Sequence, residues 1–181
     1  MPRSAAPLGI DNIYLTGFMC SGKTSTGRLL AKRLRRPFRD TDKEVQRETG
    51  RSPAQIIRRY GLARFRRHEA RALRRLARRG GQVIALGGGI ALSESKWISV
   101  RRRGVVFHLA CGEDELFRRL KRRWRTRPLA QGPDPDALRS RIRRLLQSRR
   151  KKYLQADRVV PADGRTPLQL ALRIERALST L

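Results

Sequence analysis

Gly17-Phe18-Met19-Cys20-Ser21-Gly22-Lys23-Thr24 decides how this chain is read, because it stands between an apolar run, Ile10–Leu15, and a helical stretch. Its spacing is GxxxxGK[ST], placed where a strand gives way to a helix. Backbone N–H groups of such a loop turn inward at a helix N-terminus and make a cradle for phosphate. Lys23 then reaches the β/γ-phosphates of a nucleotide, and the Thr24 hydroxyl is a Mg²⁺ ligand. Gly17, Cys20, Ser21, Gly22, Lys23, Thr24 and Ser25 are the candidate nucleotide contacts. The alternative is a chance glycine-rich turn, against which the strand before and the helix after both argue.

Working outward, the alternation continues. Leu29, Leu30 and Leu34 share one helix face. Pro37–Arg39 reads as a short strand stopped by Asp40-Thr41-Asp42, which also opens a helix. Ser52-Pro53 starts another, and Leu62–Arg79 is helical up to Gly80-Gly81. The strand Val83–Leu86 leads into Gly87-Gly88-Gly89. A helix around Ser93–Arg102, the strand Val105–Leu109 and a helix from Gly112 to about Arg122 follow. After a Pro- and Arg-rich loop come a basic helix over Asp136–Gln155, a strand at Arg158–Val160 and a helix at Thr166–Leu178. Five strands alternating with helices predict an α/β fold, a three-layer α/β/α with a five-stranded parallel sheet.

At 181 residues and 20.8 kDa the chain has room for a single domain, 1–181. Its 44 Lys+Arg include seven Lys, hence 37 Arg, and face 15 Asp+Glu for a net charge of +29. That balance suggests an anionic polymer as partner. Against it, the arginines spread over every predicted helix, and aromatics at 6% offer no stacking platform. No specific nucleic-acid partner is therefore expected. No apolar run approaches the roughly 18–20 residues of a membrane span. MPRSAAPLG lacks the apolar core of a secretory signal, and Cys20 and Cys111 are too few for a disulfide framework. A cytoplasmic monomer is the expectation.

Three further signals carry chemistry. Asp40 and Asp42 stand at the end of a strand, the edge where parallel sheets gather ligands. One acid suits Mg²⁺ through water and the other a substrate hydroxyl, while plain helix capping is the competing use. Gly87, Gly88 and Gly89 let backbone approach a ligand, with N–H groups free for an anion. Arg66-Arg67, Arg127-Pro128 and Arg149-Arg150 supply planar forks that match carboxylate and phosphate. Composition alone does not choose among them.

Together these signals resemble shikimate kinase, over about Ile10 to Val160. The resemblance rests on GFMCSGKTSTGRLLAKRL, FRDTDKEVQRETGRS, ARFRRHE, VIALGGG, RTRPL and the R-x-x-x-Y of Arg149 to Tyr153. It implies the nucleoside monophosphate kinase fold, with a substrate region near 40–80 and a mobile lid near 121–136. It also implies transfer of the γ-phosphoryl of ATP to the 3-hydroxyl of shikimate, with Mg²⁺. By position, Lys23 matches the phosphate-binding lysine and Thr24 the metal-ligating hydroxyl. Asp40 matches the acid that supports the metal through water. Asp42 matches the acid that binds the shikimate hydroxyls and is the candidate base. Arg66 and Arg149 match the pair that grips the substrate carboxylate, and Gly88 the backbone donor beside it. Arg127 matches the lid arginine, and Arg118 or Arg119 lies near the adenine.

The chain departs from the family pattern at several places. Cys20 stands where glycine is common, which a Cβ tolerates if φ stays negative. His68 replaces an aliphatic residue and is read as packing, and Cys111 as a small buried residue. Arg149 and Arg150 are both candidates, with the spacing to Tyr153 favouring Arg149. Alternatives are a kinase of another small hydroxy acid, such as a gluconate-like one, and a nucleic-acid-binding P-loop protein.

Overall fold

The computed structural model describes residues 11–87, 100–102, 104–122 and 134–181. Gly88, Gly89, Arg127, Ile10, most of the 121–136 lid and most of the Ser93–Arg102 helix lie outside these residues. The described strands are β1 (Asn12–Thr16), β2 (Phe38–Asp40), β3 (Val83–Ala85), β4 (Gly104–Ala110) and β5 (Arg158–Pro161). The described helices are α1 (Lys23–Leu34), α2 (Thr41–Thr49), α3 (Pro53–Ala77), α4 (Glu113–Lys121), α5 (Pro135–Tyr153) and α6 (Pro167–Leu178).

The strands pair in parallel in the order β2-β3-β1-β4-β5. Central β1 is flanked by β3 on one side and β4 on the other, so the chain order reverses there. The carboxyl ends of β1, β2 and β3 therefore open onto one crevice.

Strand alternation divides the core. Ile13, Leu15, Phe107 and Leu109 face Leu30 and Ala31 of α1 and Leu170, Ala171 and Ile174 of α6. Tyr14, Ile84 and Val106 face the other way, onto Leu73 and Leu76 of α3. A third cluster sets Phe18 of the glycine-rich loop against Leu116 and Leu120 of α4 and Leu138 and Ile142 of α5. Gly27 lets α1 lie close to the sheet, because a Cβ there would stand 2.5 Å from Cε2 of Phe38.

Local signals account for most helix ends. Ser52 with Gln55, and Thr166 with Gln169, form reciprocal caps, each with proline in the first turn. The helices expected from Ser52 and from Leu62 run together as α3, bent at Gly61, where φ is 80 and ψ 163. Glycine takes that conformation without a side-chain clash, so the bend costs little.

Candidate active site

The loop after β1 folds around its own lysine. Lys23 is 8% exposed, and its Nζ donates to the carbonyls of Gly17 and Phe18, both at 2.8 Å. Gly17 has φ 150, and a Cβ there would lie 2.8 Å from the Leu109 carbonyl oxygen. Cys20 breaks the condition set by its side chain, for its φ is +62. The tight turn demands a left-handed residue at this point, and a non-glycine there is strained by about 1–2 kcal/mol. Ser21 is fully buried with no hydrogen-bond partner for its hydroxyl among the described residues, whereas Ser25 is exposed.

Arg119 fastens this loop from outside. Its guanidinium donates to the Cys20 carbonyl at 3.2 Å, to Oε1 of Glu115 at 2.6 Å and to the Ala162 carbonyl at 3.1 Å. Arg118 is 55% exposed and pairs only with Glu115 among the described residues. Of the two, Arg119 is the one that touches the loop. Burial pushes the Glu115 carboxyl up, but hydrogen bonds from Arg118 and Arg119 outweigh it and hold the group below its ordinary range. Beside Arg119 lies a cavity of about 300 Å³, bounded also by Arg122, Arg165 and Thr166.

Asp40 divides its two carboxylate oxygens between a helix cap and the phosphate loop. Its Oδ1 accepts from the N–H groups of Asp42 at 3.0 Å and Lys43 at 3.4 Å, capping α2. Its Oδ2 accepts from the Thr24 hydroxyl at 2.9 Å. A hydroxyl and a carboxylate side by side at a phosphate loop are hard oxygen donors that fit Mg²⁺. Among the described residues no group of three His, Cys, Asp or Glu could hold a metal by itself.

Asp42 and Glu69 converge on Gly87 at the end of β3. A Cβ built on Gly87 would stand 2.5 Å from Oδ1 of Asp42 and 2.9 Å from Oε1 of Glu69. Glu69 is 2% exposed, and its Oε2 accepts from Arg66 at 2.7 Å. The Gly87 amide does not wait for an anion as the three-glycine reading expected. It donates to Oγ1 of the fully buried Thr41 at 2.8 Å. Asp42, Arg66 and Gly87 are thus brought together beside the Thr24–Asp40 pair.

Arg149 approaches from α5. Its guanidinium carbon lies 5.3 Å from the ring centre of Phe18, and Arg150 is exposed. Tyr153, one turn on, stacks against His108 with ring centres 4.4 Å apart and planes 15° apart. Burial first, then the Lys23 charge, push the His108 imidazole down to about 4, against a hydrogen bond to the Thr16 backbone. His68 and Cys111 are half-buried, and burial with a hydrogen bond to Asp163 pushes the Cys111 thiol up to about 12.

Sequence reading assigned no role to Thr41, Glu69, Glu115, Phe18 or His108. Glu69 and Glu115 carry a findable signal, since each stands three residues from an arginine it pairs with. Thr41 and His108 meet partners 45 or 46 residues away in the chain and carry none.

The shikimate kinase family model matches residues 19–179. The chain belongs to the shikimate kinase family. A shikimate kinase of Thermodesulfovibrio yellowstonii is 38% identical over 165 residues, covering 91% of this chain and 93% of its own length. One from Synechococcus sp. (strain JA-3-3Ab) is 40% identical over 178 residues, covering 98% and 92%. Among solved structures, shikimate kinase from Acinetobacter baumannii in complex with shikimate superposes with a TM-score of 0.87 at 32% identity, covering 98% of this chain and 97% of that one. A gluconokinase from Sinorhizobium meliloti, at 20% identity and a TM-score of 0.61, shares the fold alone. No helix among the described residues is long and apolar enough to cross a membrane.

Proposed function

We infer that this chain is a shikimate kinase, transferring the γ-phosphoryl of ATP to the 3-hydroxyl of shikimate to give shikimate 3-phosphate and ADP. The observation that carries the reading is the meeting of Asp42, the Arg66–Glu69 pair and Gly87 beside the loop that holds Lys23 and Thr24. The kinase family of the chain supplies the reaction class.

The nucleotide phosphates enter the loop of Gly17 to Ser25, and Lys23 turns from the Gly17 and Phe18 carbonyls to the β/γ-phosphates. Thr24 would hold Mg²⁺ directly and Asp40 would do so through water, and the ion would supply neutralisation of charge on the phosphate oxygens. Asp42 accepts the proton of the 3-hydroxyl as its oxygen attacks the γ-phosphorus in line and ADP departs. Arg66 and Arg149 grip the substrate carboxylate, for which two planar forks provide bidentate recognition. Glu69 fixes the Arg66 fork. The family resemblance assigns Gly88 and Gly89 to the substrate and Arg127 to the phosphates, and all three lie outside the described residues. The adenine lies in the cavity beside Arg119. We read the enzyme as a cytoplasmic monomer, a state that light scattering checks.

A coupled ADP-release assay tests this. Shikimate-dependent turnover with Mg²⁺ is expected, and Asp42→Asn loses kcat while retaining ATP binding. Preference for a different hydroxy acid across a substrate panel, or turnover indifferent to shikimate, overturns the reading.

A further inference from the structure

α5 carries Arg149 and Tyr153 one helical turn apart, and each meets a ring rooted at the base of the phosphate loop. Arg149 lies over Phe18, inside the loop. Tyr153 stacks on His108, which stands opposite Thr16 in the β1–β4 register, immediately before the loop. The two contacts are rungs between one helix and one loop.

The lower rung has an unusual share of the task. The buried residues of α5 are Leu138, Ile142 and Tyr153, so among the described residues Tyr153 is the one buried side chain of its C-terminal half. From Ile142 to Tyr153 the helix runs about 16 Å. Leu145 and Leu146 are half-buried against the third cluster and guide it only in part. The lateral position of Arg149 therefore follows from where Tyr153 is seated, and the seat is the imidazole of His108. Burial keeps that ring neutral, so the stack adds no positive charge beside Lys23 and Arg149. Burial pushes the Tyr153 phenol up, while the Arg149 charge and a polar side-chain contact with Arg149 pull the other way. Ring stacking on His108 seats Tyr153, and its contact with Arg149 ties that seat to the guanidinium.

We propose that His108 is a positioning residue of the phosphoryl-transfer site: by seating Tyr153 it sets α5 against the phosphate loop and aims Arg149 at the substrate carboxylate. The proposal rests on the carboxylate-gripping role inferred for Arg149. It assigns His108 no proton transfer and no contact with either substrate.

The experiment is steady-state kinetics with shikimate and ATP varied separately, on His108→Leu, His108→Phe, Tyr153→Leu and Arg149→Ala. Losing one stacked aromatic pair should raise the shikimate KM about 3- to 10-fold in His108→Leu. The ATP KM and kcat should stay within twofold. His108→Phe, which keeps a ring for Tyr153, should restore the shikimate KM. Tyr153→Leu removes the rung from the helix side, and the His108→Leu/Tyr153→Leu double variant should cost no more than either alone. Should His108→Leu unfold, Tyr153→Leu against His108→Phe carries the same comparison.

Equal rises in both KM values, a fall in kcat alone, or failure of His108→Phe to restore the shikimate KM overturns the positioning role. Arg149→Ala separates this from the reading beneath it. If it raises the shikimate KM steeply while His108→Leu leaves it unchanged, the stack is overturned and the carboxylate grip stands. If it leaves the shikimate KM unchanged, the grip fails and the proposal fails with it.

Discussion

Replacing Gly87 by alanine adds one methyl group where two carboxylates meet. Its carbon would stand 2.5 Å from Oδ1 of Asp42, 3.2 Å from Cγ of the same residue and 2.9 Å from Oε1 of Glu69. Ordinary contact needs about 3.5 Å, so Asp42 must retreat by about 1 Å. The backbone cannot easily yield instead, because the Gly87 amide is held by Thr41 at 2.8 Å. A misplacement of about 1 Å in a reacting group costs on the order of 100-fold in rate. Overpacking of this kind also costs about 1–3 kcal/mol of stability. Gly87→Ala should therefore fold, bind ATP with wild-type affinity by calorimetry, and lose about 100-fold in kcat in the ADP-release assay. A kcat within threefold of wild type, with shikimate saturating, would refute both the contact geometry and the role given to Asp42.

Other perturbations follow from single contacts. Cys20→Gly relieves the left-handed strain at φ 62 and should stabilise by about 1 kcal/mol, raising Tm by about 2–4 °C by calorimetry; a lower Tm counts against strain. Thr41→Val leaves the buried Gly87 amide without its acceptor, which should cost about 1–3 kcal/mol in urea unfolding, whereas Thr41→Ser keeps the bond. The imidazole of His108 takes a proton near 6.5 when unfolded but only near about 4 when folded, so between those values the unfolded chain holds more protons. This share of stability is full above pH 6.5 and lost as pH falls toward 4. Urea titrations of wild type and His108→Phe should converge in slope above that window and diverge within it, and parallel curves throughout would contradict the depressed value.

Much of the fold was legible because its signals are short-ranged. The loop Gly17–Thr24, the alternation of apolar runs and the caps at Asp40, Ser52 and Thr166 each act over a few residues, where sequence spacing is spatial spacing. The two acids at the end of β2 could be placed on that sheet edge for the same reason, and Asp40 meets both the α2 cap and Thr24 because a carboxylate has two oxygens. The bend at Gly61 was less visible, since the helical pattern on either side continues through it.

By itself, then, the sequence determined a phosphate-binding α/β fold, its strand and helix order, and the location of its few acids in a chain of +29. It did not determine which arginines serve the site. That Arg149 and not Arg150 lies over Phe18, and that Arg119 and not Arg118 holds the Cys20 carbonyl, follows from how α4 and α5 pack on the loop. The tertiary structure also took the Gly87 amide for Thr41, 46 residues away, and set His108 beneath Tyr153. These partners are fixed by strand register and helix packing between segments far apart in the chain. Such contacts depend on three-dimensional closure, which no local spacing encodes.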